Sequence, residues 1–454
     1  MRSILDRREF LKEGLAGVIA SLAWVYSVNK GNCTDIDLQT NAMDPIAESY
    51  VKLMLKIAQY DPDYVLAEDY FGPEEWKPDT TKENTKVPLD ELTLIAKKLI
   101  QQLDQLDRVK FDEMEKLRYA FLYTQISSAK AKIDIMSGQK MSFDEESLAL
   151  YSVKAKQQDE SYFKGVIGEL NKILPGQGSI VERANKFKSE FFIPEDKLHT
   201  VFTTALAEAR RRTLEHIQLP KNEGVELELV KDKPWLAYQQ ILGNSKSLIQ
   251  INTDLPLHMF YAIDLACHEV YPGHHTHSTL LEDRLMKGRK WVEFSLNSMF
   301  VPFVLIAEGI AEYGIELAFP MSERIAYEKA VLFPLAGLDS SKVEQYNEVR
   351  ELSNKLSPEW DIQVARQYLD GIINRDEAVK LLIKYSLCNT EEASKSIEFF
   401  DKYKSYIISY GVGKEIISEY IRRNGGTETN HKKRWDLFCG ILSTPQTPSG
   451  LQSA

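Results

Sequence analysis

Apolar residues recur at three- and four-residue spacing along most of the chain, with charged residues between them. This spacing is typical of helices that bury one face. It predicts helices over four segments of the first half of the chain: residues 89–106, 112–136, 160–174 and 195–217. Proline or glycine follows several of these segments, where a helix is expected to stop. The first half of the chain is therefore predicted to be helical.

The hydrophobic period changes between residues 225 and 252. Residues 226–230 and 247–252 alternate polar and apolar side chains and are rich in branched residues, which predicts short β-strands. Helical spacing then resumes to about Arg423, and residues 443–454, which contain Ser, Thr and Pro, are predicted to be a disordered tail. The whole pattern predicts a mainly α fold with a small β-sheet.

Composition excludes several classes of protein. The 454 residues include 56 Lys and Arg against 67 Asp and Glu, for a net charge of −11, and 43% of them are hydrophobic. That hydrophobic content is enough for a substantial core and excludes a disordered chain. The acidic balance argues against nucleic acid as a partner. The four cysteines show no paired spacing, so a disulfide scaffold is not expected.

The N-terminus carries the pattern of an export signal. Arg7 and Arg8 precede an apolar run of 14 residues, whereas a membrane-spanning helix needs roughly 20. Paired arginines before a short apolar run are typical of the twin-arginine route. Residues 1–30 are predicted to be this signal and residues 31–44 a linker, in which Cys33 is a weak candidate for a lipid anchor. We expect a periplasmic or extracellular protein without stable membrane insertion after signal cleavage.

Four of the eight histidines fall within ten residues: His268, His274, His275 and His277. His268-Glu269 stands near the end of a predicted helix and is similar to the start of HExxH, in which two imidazoles share one zinc and the Glu activates a water. Pro272 occupies the second histidine position and is expected to end the helix. A turn back after Pro272 would bring His274 or His275 to the same ion, and the spacing alone leaves both open.

A third ligand is expected from the segment that contains Glu308, Glu312 and Glu316. The residues before Glu308 are almost wholly apolar, so Glu308 is predicted to enter a buried region. A buried carboxylate is costly unless it is paired or bound to a metal. Glu312 is an alternative ligand or a hydrogen-bonding partner, and Gly309 would let another backbone approach closely. Asp264, one turn before His268, is expected to orient that imidazole.

These motifs resemble those of the bacterial DUF885 family, zincin-like metallohydrolases of the HExxPGH type. The resembling segments are residues 268–275 (HEVYPGHH) and 308–316 (EGIAEYGIE), with a weaker match at residues 410–413 (YGVG). The family's DTGLH segment is reduced to residues 369–373 (LDGII), which lack its histidine. The resemblance covers about residues 45–425.

The resemblance implies a zinc ion held by His268, His274 and Glu308, with Glu269 as general base; Mn²⁺ and Fe²⁺ are alternative ions. It favours His274 over His275. Tyr410 is the first candidate for the donor that stabilises the oxyanion. Tyr313 is the second candidate.

The fold implied is a large helical zincin-like domain with the sheet beside the active-site cleft. One catalytic domain is expected over residues 45–442, with a helical half at 45–220 and a metal-site half at 221–442. The strand at 247–252 is expected to be the edge strand that pairs an extended peptide.

The leading hypothesis is a secreted zinc peptidase that cleaves short peptides in the manner of a carboxypeptidase or dipeptidase. A second hypothesis is a metal-dependent hydrolase of a small non-peptide amide or ester that uses the same centre. A third, suggested by the missing family residues, is a non-catalytic protein that binds a metal or a peptide.

Overall fold

The computed structural model describes residues 41–65, 70–78, 86–233 and 235–453. The predicted signal at residues 1–30 and the candidate anchor Cys33 lie outside the described residues. Across the described ranges, no helix is both long enough and apolar enough to cross a membrane.

Helices form the first half of the chain, as predicted. In chain order they are α1 (Asp44–Ala58), α2 (Leu89–Asp104), α3 (Glu113–Met136), α4 (Phe143–Tyr151), α5 (Glu160–Ile173), α6 (Ile180–Ser189) and α7 (Leu198–Leu214). Capping boxes begin three of them, at Asp112, Ser142 and Ser179. In each box the capping side chain and a Glu three residues later satisfy each other's backbone N–H groups. The helix predicted at 195–217 is a short 3-10 turn, Glu195–Lys197, followed by α7.

A three-stranded sheet follows, formed by β1 (Gly224–Val230), β2 (Ala237–Gly243) and β3 (Lys246–Asn252). The strand order is β1-β3-β2, with β1 parallel and β2 antiparallel to β3. The prediction that residues 247–252 form an edge strand is therefore wrong, because β3 is paired on both sides. The edge strand next to the cleft is β2, which alternation did not identify.

The second half of the chain is again helical. Its helices are α8 (Phe260–Leu265), α9 (His274–Leu281), α10 (Pro302–Ala318), α11 (Met321–Tyr327), α12 (Phe333–Ala336), α13 (Val343–Asn354), α14 (Glu359–Leu369), α15 (Arg375–Tyr385), α16 (Thr390–Tyr403), α17 (Ile408–Arg423), α18 (His431–Leu442) and α19 (Pro448–Ser453). A π-helical turn, Ala266–Val270, extends α8, and a 3-10 turn, Lys404–Ile407, precedes α17.

The predicted disordered tail is wrong for the described part of residues 443–454. Helix α19 lies there, and the side chain of Leu451 is 2% exposed. Arg423 donates hydrogen bonds to the carbonyl oxygens of Leu451 and Gln452. Polar composition does not reveal such docking, because a single buried leucine and two backbone acceptors provide it.

One hydrophobic core joins both halves of the chain. Its buried side chains run from Met43 in the first described segment to Leu451 in α19. The helices that carry the histidine and glutamate motifs pack within this core. The mainly α fold with a small β-sheet is thus confirmed.

Candidate metal centre

The π-helical turn after α8 carries His268 and Glu269. It ends at Tyr271, whose backbone is extended, as the proline at the next position predicts. Such wide turns are frequent at functional sites because they redirect a side chain within a helix. Helix α8 begins at Phe260.

The chain turns back sharply at Gly273. Its N–H donates to the carbonyl of Cys267 at 2.9 Å, and a Cβ atom on Gly273 would lie 1.9 Å from the carbonyl oxygen of His268. Only glycine fits this approach. Helix α9 then begins at His274, whose ring lies perpendicular to that of His268 with 4.7 Å between centroids. The turn places two imidazoles side by side.

A close crossing of α10 and α17 brings the third side chain to the same place. A Cβ atom on Gly309 would lie 2.4 Å from the carbonyl carbon of Gly413, and one on Gly413 would lie 2.2 Å from the carbonyl oxygen of Leu305. The prediction that Gly309 admits another backbone is confirmed. The neighbouring Glu308 lies at this crossing, buried beside the two imidazoles.

The structure brings His268, His274 and Glu308 together. The Oε2 atom of Glu308 is 3.3 Å from Nε2 of His268 and 3.8 Å from Nε2 of His274. One ligand atom from each side chain lies within 4.8 Å of the other two. Two atoms that bind one tetrahedral zinc at about 2.0–2.2 Å are roughly 3.3–3.6 Å apart. The 3.3 Å separation lies in this range and the 3.8 Å separation is slightly longer, so small side-chain movements would bring the ligand atoms to the spacing of a zinc site.

Two predicted partners are engaged elsewhere. His275 is buried with Nδ1 against the hydroxyl of Ser247 at 2.8 Å and Nε2 against Glu223 at 3.2 Å, so it is not a ligand in this geometry. Asp264 does not orient His268, because its carboxylate accepts from Arg324 and Arg350 at 2.5 and 2.8 Å. Helical spacing correctly places both residues near the motif but does not reveal which neighbour satisfies them.

Glu312 takes the orienting role expected of Asp264. Its Oε1 lies 3.1 Å from Nδ1 of His268, opposite the nitrogen that faces Glu308. A carboxylate at this position sets the tautomer and ring orientation of a metal-binding histidine. Glu316, one turn further along α10, pairs with Lys414 at 2.5 Å. His277, the fourth clustered histidine, is 4% exposed and lines the same cleft.

Tyr406 is a site residue that the sequence reasoning missed. Its buried hydroxyl donates a hydrogen bond to Oε1 of Glu308 at 3.1 Å, on the side of the carboxylate away from the imidazoles. Its position four residues before Tyr410 is the signal that would have found it, because that spacing places both rings on one side of a helix. The two rings lie 5.8 Å apart.

The two predicted oxyanion donors differ in position. Tyr410 lines the cleft with Glu269, and burial followed by the charge of Glu308 holds its pKa well above the usual value, so the phenol keeps its proton. The hydroxyl of Tyr313 instead accepts a hydrogen bond from Nε of Arg434 at 3.1 Å. Tyr313 is also not among the residues that line the cleft, so Tyr410 is the better candidate for the oxyanion donor.

Burial and close charges shift the pKa values of the cluster. Burial opposes a charge on His268, but the close carboxylates of Glu308 and Glu312 outweigh it and raise the pKa of His268. Burial lowers the pKa of His274 to about 4, so this imidazole is neutral near pH 7. Burial also raises the pKa of Glu269 to about 7; His268 opposes that shift, and the two glutamates add to it.

The cluster opens on a cleft of about 1790 Å³. Glu269 faces it and makes no hydrogen bond to any residue in the described part of the chain. Strand β2 forms one wall through Ala237–Ile241. Its inner edge pairs with β3, and its outer edge pairs with no described strand. A proton acceptor, a cation-sized cluster and a free strand edge thus share one cavity.

No protein-family profile and no curated protein matches the chain. Solved structures do. A structure described as "the putative lipoprotein from Colwellia psychrerythraea" is 14% identical with a TM-score of 0.50, over 84% of this chain and 70% of that one. A second structure is described as "a putative lipoprotein of unknown function from Shewanella oneidensis". It is 11% identical with a TM-score of 0.39, over 100% of this chain and 98% of that one. At these identities the Colwellia likeness concerns the fold alone.

Proposed function

We propose that this protein is an exported metallohydrolase that cleaves peptide bonds, with one zinc ion held by His268, His274 and Glu308. The observation that carries the proposal is the Oε2 atom of Glu308, which faces both imidazoles, is buried and accepts no hydrogen bond of good geometry. A buried carboxylate oxygen that accepts no well-aligned hydrogen bond costs free energy. A cation among these three side chains removes that cost, so the residues fit a metal ion.

The donor set supports zinc. Two imidazoles and one carboxylate are a set used in catalytic zinc sites, where the fourth position stays open; Mn²⁺ and Fe²⁺ are alternative ions. Zinc bound there would supply Lewis-acid polarisation and a lower pKa for water at the open position.

The side chains around the cluster supply the proton transfers. Glu269, whose pKa is near 7, takes the proton of the attacking water and returns it to the leaving amine. Tyr410 keeps its proton and offers its hydroxyl to the developing oxyanion. Glu312 and Tyr406 hold His268 and Glu308 in orientation.

The size of the cleft and the edge of β2 favour a peptide over a small amide or ester. Pockets for small molecules usually enclose about 300–1,000 Å³, whereas this cleft encloses about 1790 Å³. A strand edge without a partner can pair with an extended peptide through backbone hydrogen bonds. The twin-arginine pattern at residues 1–30 supports export, and the lipoprotein description of the Colwellia neighbour agrees with it.

Metal content tests the centre. We expect about one zinc per chain in the mature protein by elemental analysis, and loss of that zinc in His268→Ala and in Glu308→Ala. His199→Ala, at an exposed histidine, is the matched control and should keep the metal. Stoichiometric zinc in both ligand variants would overturn the proposed centre.

Turnover tests the function. Zinc-loaded protein should cleave members of a peptide library, and Glu269→Gln should keep its zinc while its rate falls by at least about a hundredfold, since general-base catalysis contributes roughly 10²–10⁴. Cleavage confined to a parallel panel of small amides and esters would identify the second hypothesis. Zinc and peptide affinity with no hydrolysis of either panel would identify a non-catalytic binding protein.

A further inference from the structure

Arg434 differs from the other buried arginines of the described chain. Arg118 pairs with Glu293, Arg324 with Glu328 and Arg366 with Asp144: each guanidinium has a carboxylate partner. Arg434 is 9% exposed and forms no ion pair with any described residue. A charge so far out of water is costly without a counter-ion. Arg434 is therefore a buried cation whose counter-ion is expected to come from a bound ligand that carries a carboxylate.

The Arg434 guanidinium is held in one orientation. Its Nε donates to the hydroxyl of Tyr313 at 3.1 Å, and its central carbon lies 5.5 Å from the centre of the Tyr313 ring. Both terminal nitrogens make no hydrogen bond to a described residue, and neither is fully enclosed by protein. Because Arg434 lines the cleft, these two nitrogens form an open fork at its wall.

Helix α10 connects this fork to the metal cluster. Tyr313, which holds Nε, directly follows Glu312, which contacts His268 at 3.1 Å. Glu316 on the same helix cannot serve as counter-ion to Arg434, since it pairs with Lys414 at 2.5 Å. The metal cluster and Arg434 of α18 thus line one cavity, and Glu312 and Tyr313 on α10 contact one each.

We propose that Arg434 binds a carboxylate of the substrate, and this inference rests on the proposed peptidase function. A guanidinium with two free terminal nitrogens matches a planar carboxylate through two parallel N–H···O bonds. Two sources share this chemistry, the C-terminal carboxylate of a short peptide and an acidic side chain. The favoured substrates are therefore short peptides that carry a carboxylate near the cleaved bond.

Peptide binding to the Glu269→Gln variant tests the inference without turnover. The probes are N-acetyl-trialanine with a free C-terminus, its C-terminal amide, and an amide peptide with Glu in place of one Ala, each titrated by calorimetry. Arg434→Gln should weaken binding of the carboxylate peptide about ten- to hundredfold, the range for a charge-assisted hydrogen bond. Binding of trialanine amide should stay unchanged.

The two sources of carboxylate separate in the same experiment. If Arg434→Gln weakens binding of the peptide with a free C-terminus alone, the site is exopeptidase-like. If it weakens binding of the Glu-containing amide alone, the site binds an acidic side chain. Equal affinities for all three probes with and without Arg434, or no measurable binding of any probe, would overturn the inference.

Two further variants exclude a structural explanation. Tyr313→Phe removes the hydroxyl that accepts from Nε of Arg434. It should weaken binding of the carboxylate peptide several-fold and leave the zinc content unchanged. Arg284→Gln, at an exposed arginine outside the cleft, should change nothing. Arg434→Gln should not lower the melting temperature of the Glu269→Gln protein, because it removes an unpaired buried charge. A protein that binds the free acid through Arg434 but hydrolyses no peptide would keep this inference and overturn the proposed function.

Discussion

Glu308 shows how single contacts define the candidate centre. Its two carboxylate oxygens have different surroundings: Oε1 accepts from the hydroxyl of Tyr406, and Oε2 faces His268 and His274. Burial opposes the charge of Glu308, but the close imidazoles of His268 and His274 outweigh it and lower the pKa of Glu308. The carboxylate is thus ionised and oriented toward the two imidazoles, as a metal ligand has to be.

Tyr406→Phe tests this orientation. Removal of one hydroxyl leaves Oε1 of Glu308 without its donor, so we expect zinc affinity to fall by about ten- to hundredfold, as is typical when a partner of a ligand is lost. Competition with a chelator of known affinity measures the change. Tyr162→Phe is the control, since Tyr162 is 41% exposed and its hydroxyl makes no hydrogen bond to Glu308, so its loss should leave zinc affinity unchanged. Equal affinities in the two variants would contradict the role of Tyr406.

At the scale of elements, the crossing of α10 and α17 assembles the site. The two helices meet backbone to backbone at Gly309 and Gly413, where no side chain fits. This contact places Tyr406, in the 3-10 turn before α17, and Tyr410, in the first turn of α17, near Glu308 on α10. A wider separation would detach both tyrosines from the cluster.

Gly309→Ala should therefore destabilise the protein strongly. The new Cβ would lie 2.4 Å from a carbonyl carbon of Gly413, and backbone cannot move aside as a side chain can. We expect a loss of about 2–3 kcal/mol in the free energy of unfolding, measured by urea denaturation. Gly165→Ala in α5 is the matched control: it has open space around it and should gain roughly 0.5–1 kcal/mol. A Gly309→Ala variant as stable as this control would refute the close crossing.

At the scale of the whole molecule, Glu223 links parts of the chain that are distant in sequence. Its carboxylate pairs with Arg210 of α7, accepts from the hydroxyl of Tyr271 at 2.6 Å and contacts His275 at 3.2 Å. Burial opposes its charge, but the three hydrogen bonds lower its pKa to about 2. The helical half and the motif segment thus share one buried anion.

The pKa of Glu223 predicts a pH-dependent contribution to stability. The folded value is about 2 and the ordinary value is 4.5, so the contribution is complete above pH 4.5 and disappears as the pH falls toward 2. We expect Glu223→Gln to cost about 1–3 kcal/mol at pH 7 and clearly less at pH 3. Urea unfolding of wild type and variant at both values measures this. A cost that is the same at pH 7 and pH 3 would show that ionisation of Glu223 does not matter.

Local patterns predicted the parts of this protein that depend on neighbours in sequence. Helical spacing located α2, α3, α5 and α7, because one buried face imposes that period. The end of the motif helix followed from a proline, and the close approach at Gly309 followed from the lack of a side chain. Resemblance to a family, rather than geometry, favoured His274 over His275.

Contacts between distant segments decided the rest. Which strand forms the sheet edge depends on pairing order, and alternation alone cannot distinguish β3 from β2. Asp264 and Glu312 both stand one helical turn from a motif residue, yet only packing against Arg324 and Arg350 removed the first from the site.

The division has a physical cause. Hydrophobic periodicity, turn residues and the types of metal-ligating residue are properties of a few consecutive residues, so they can be read directly from the sequence. Which polar group satisfies which buried partner depends on the arrangement of helices about a hundred residues apart in sequence. The contact of Tyr406 with Glu308, and the lack of an ion pair between Arg434 and any described residue, depend on how α10, α17 and α18 pack together.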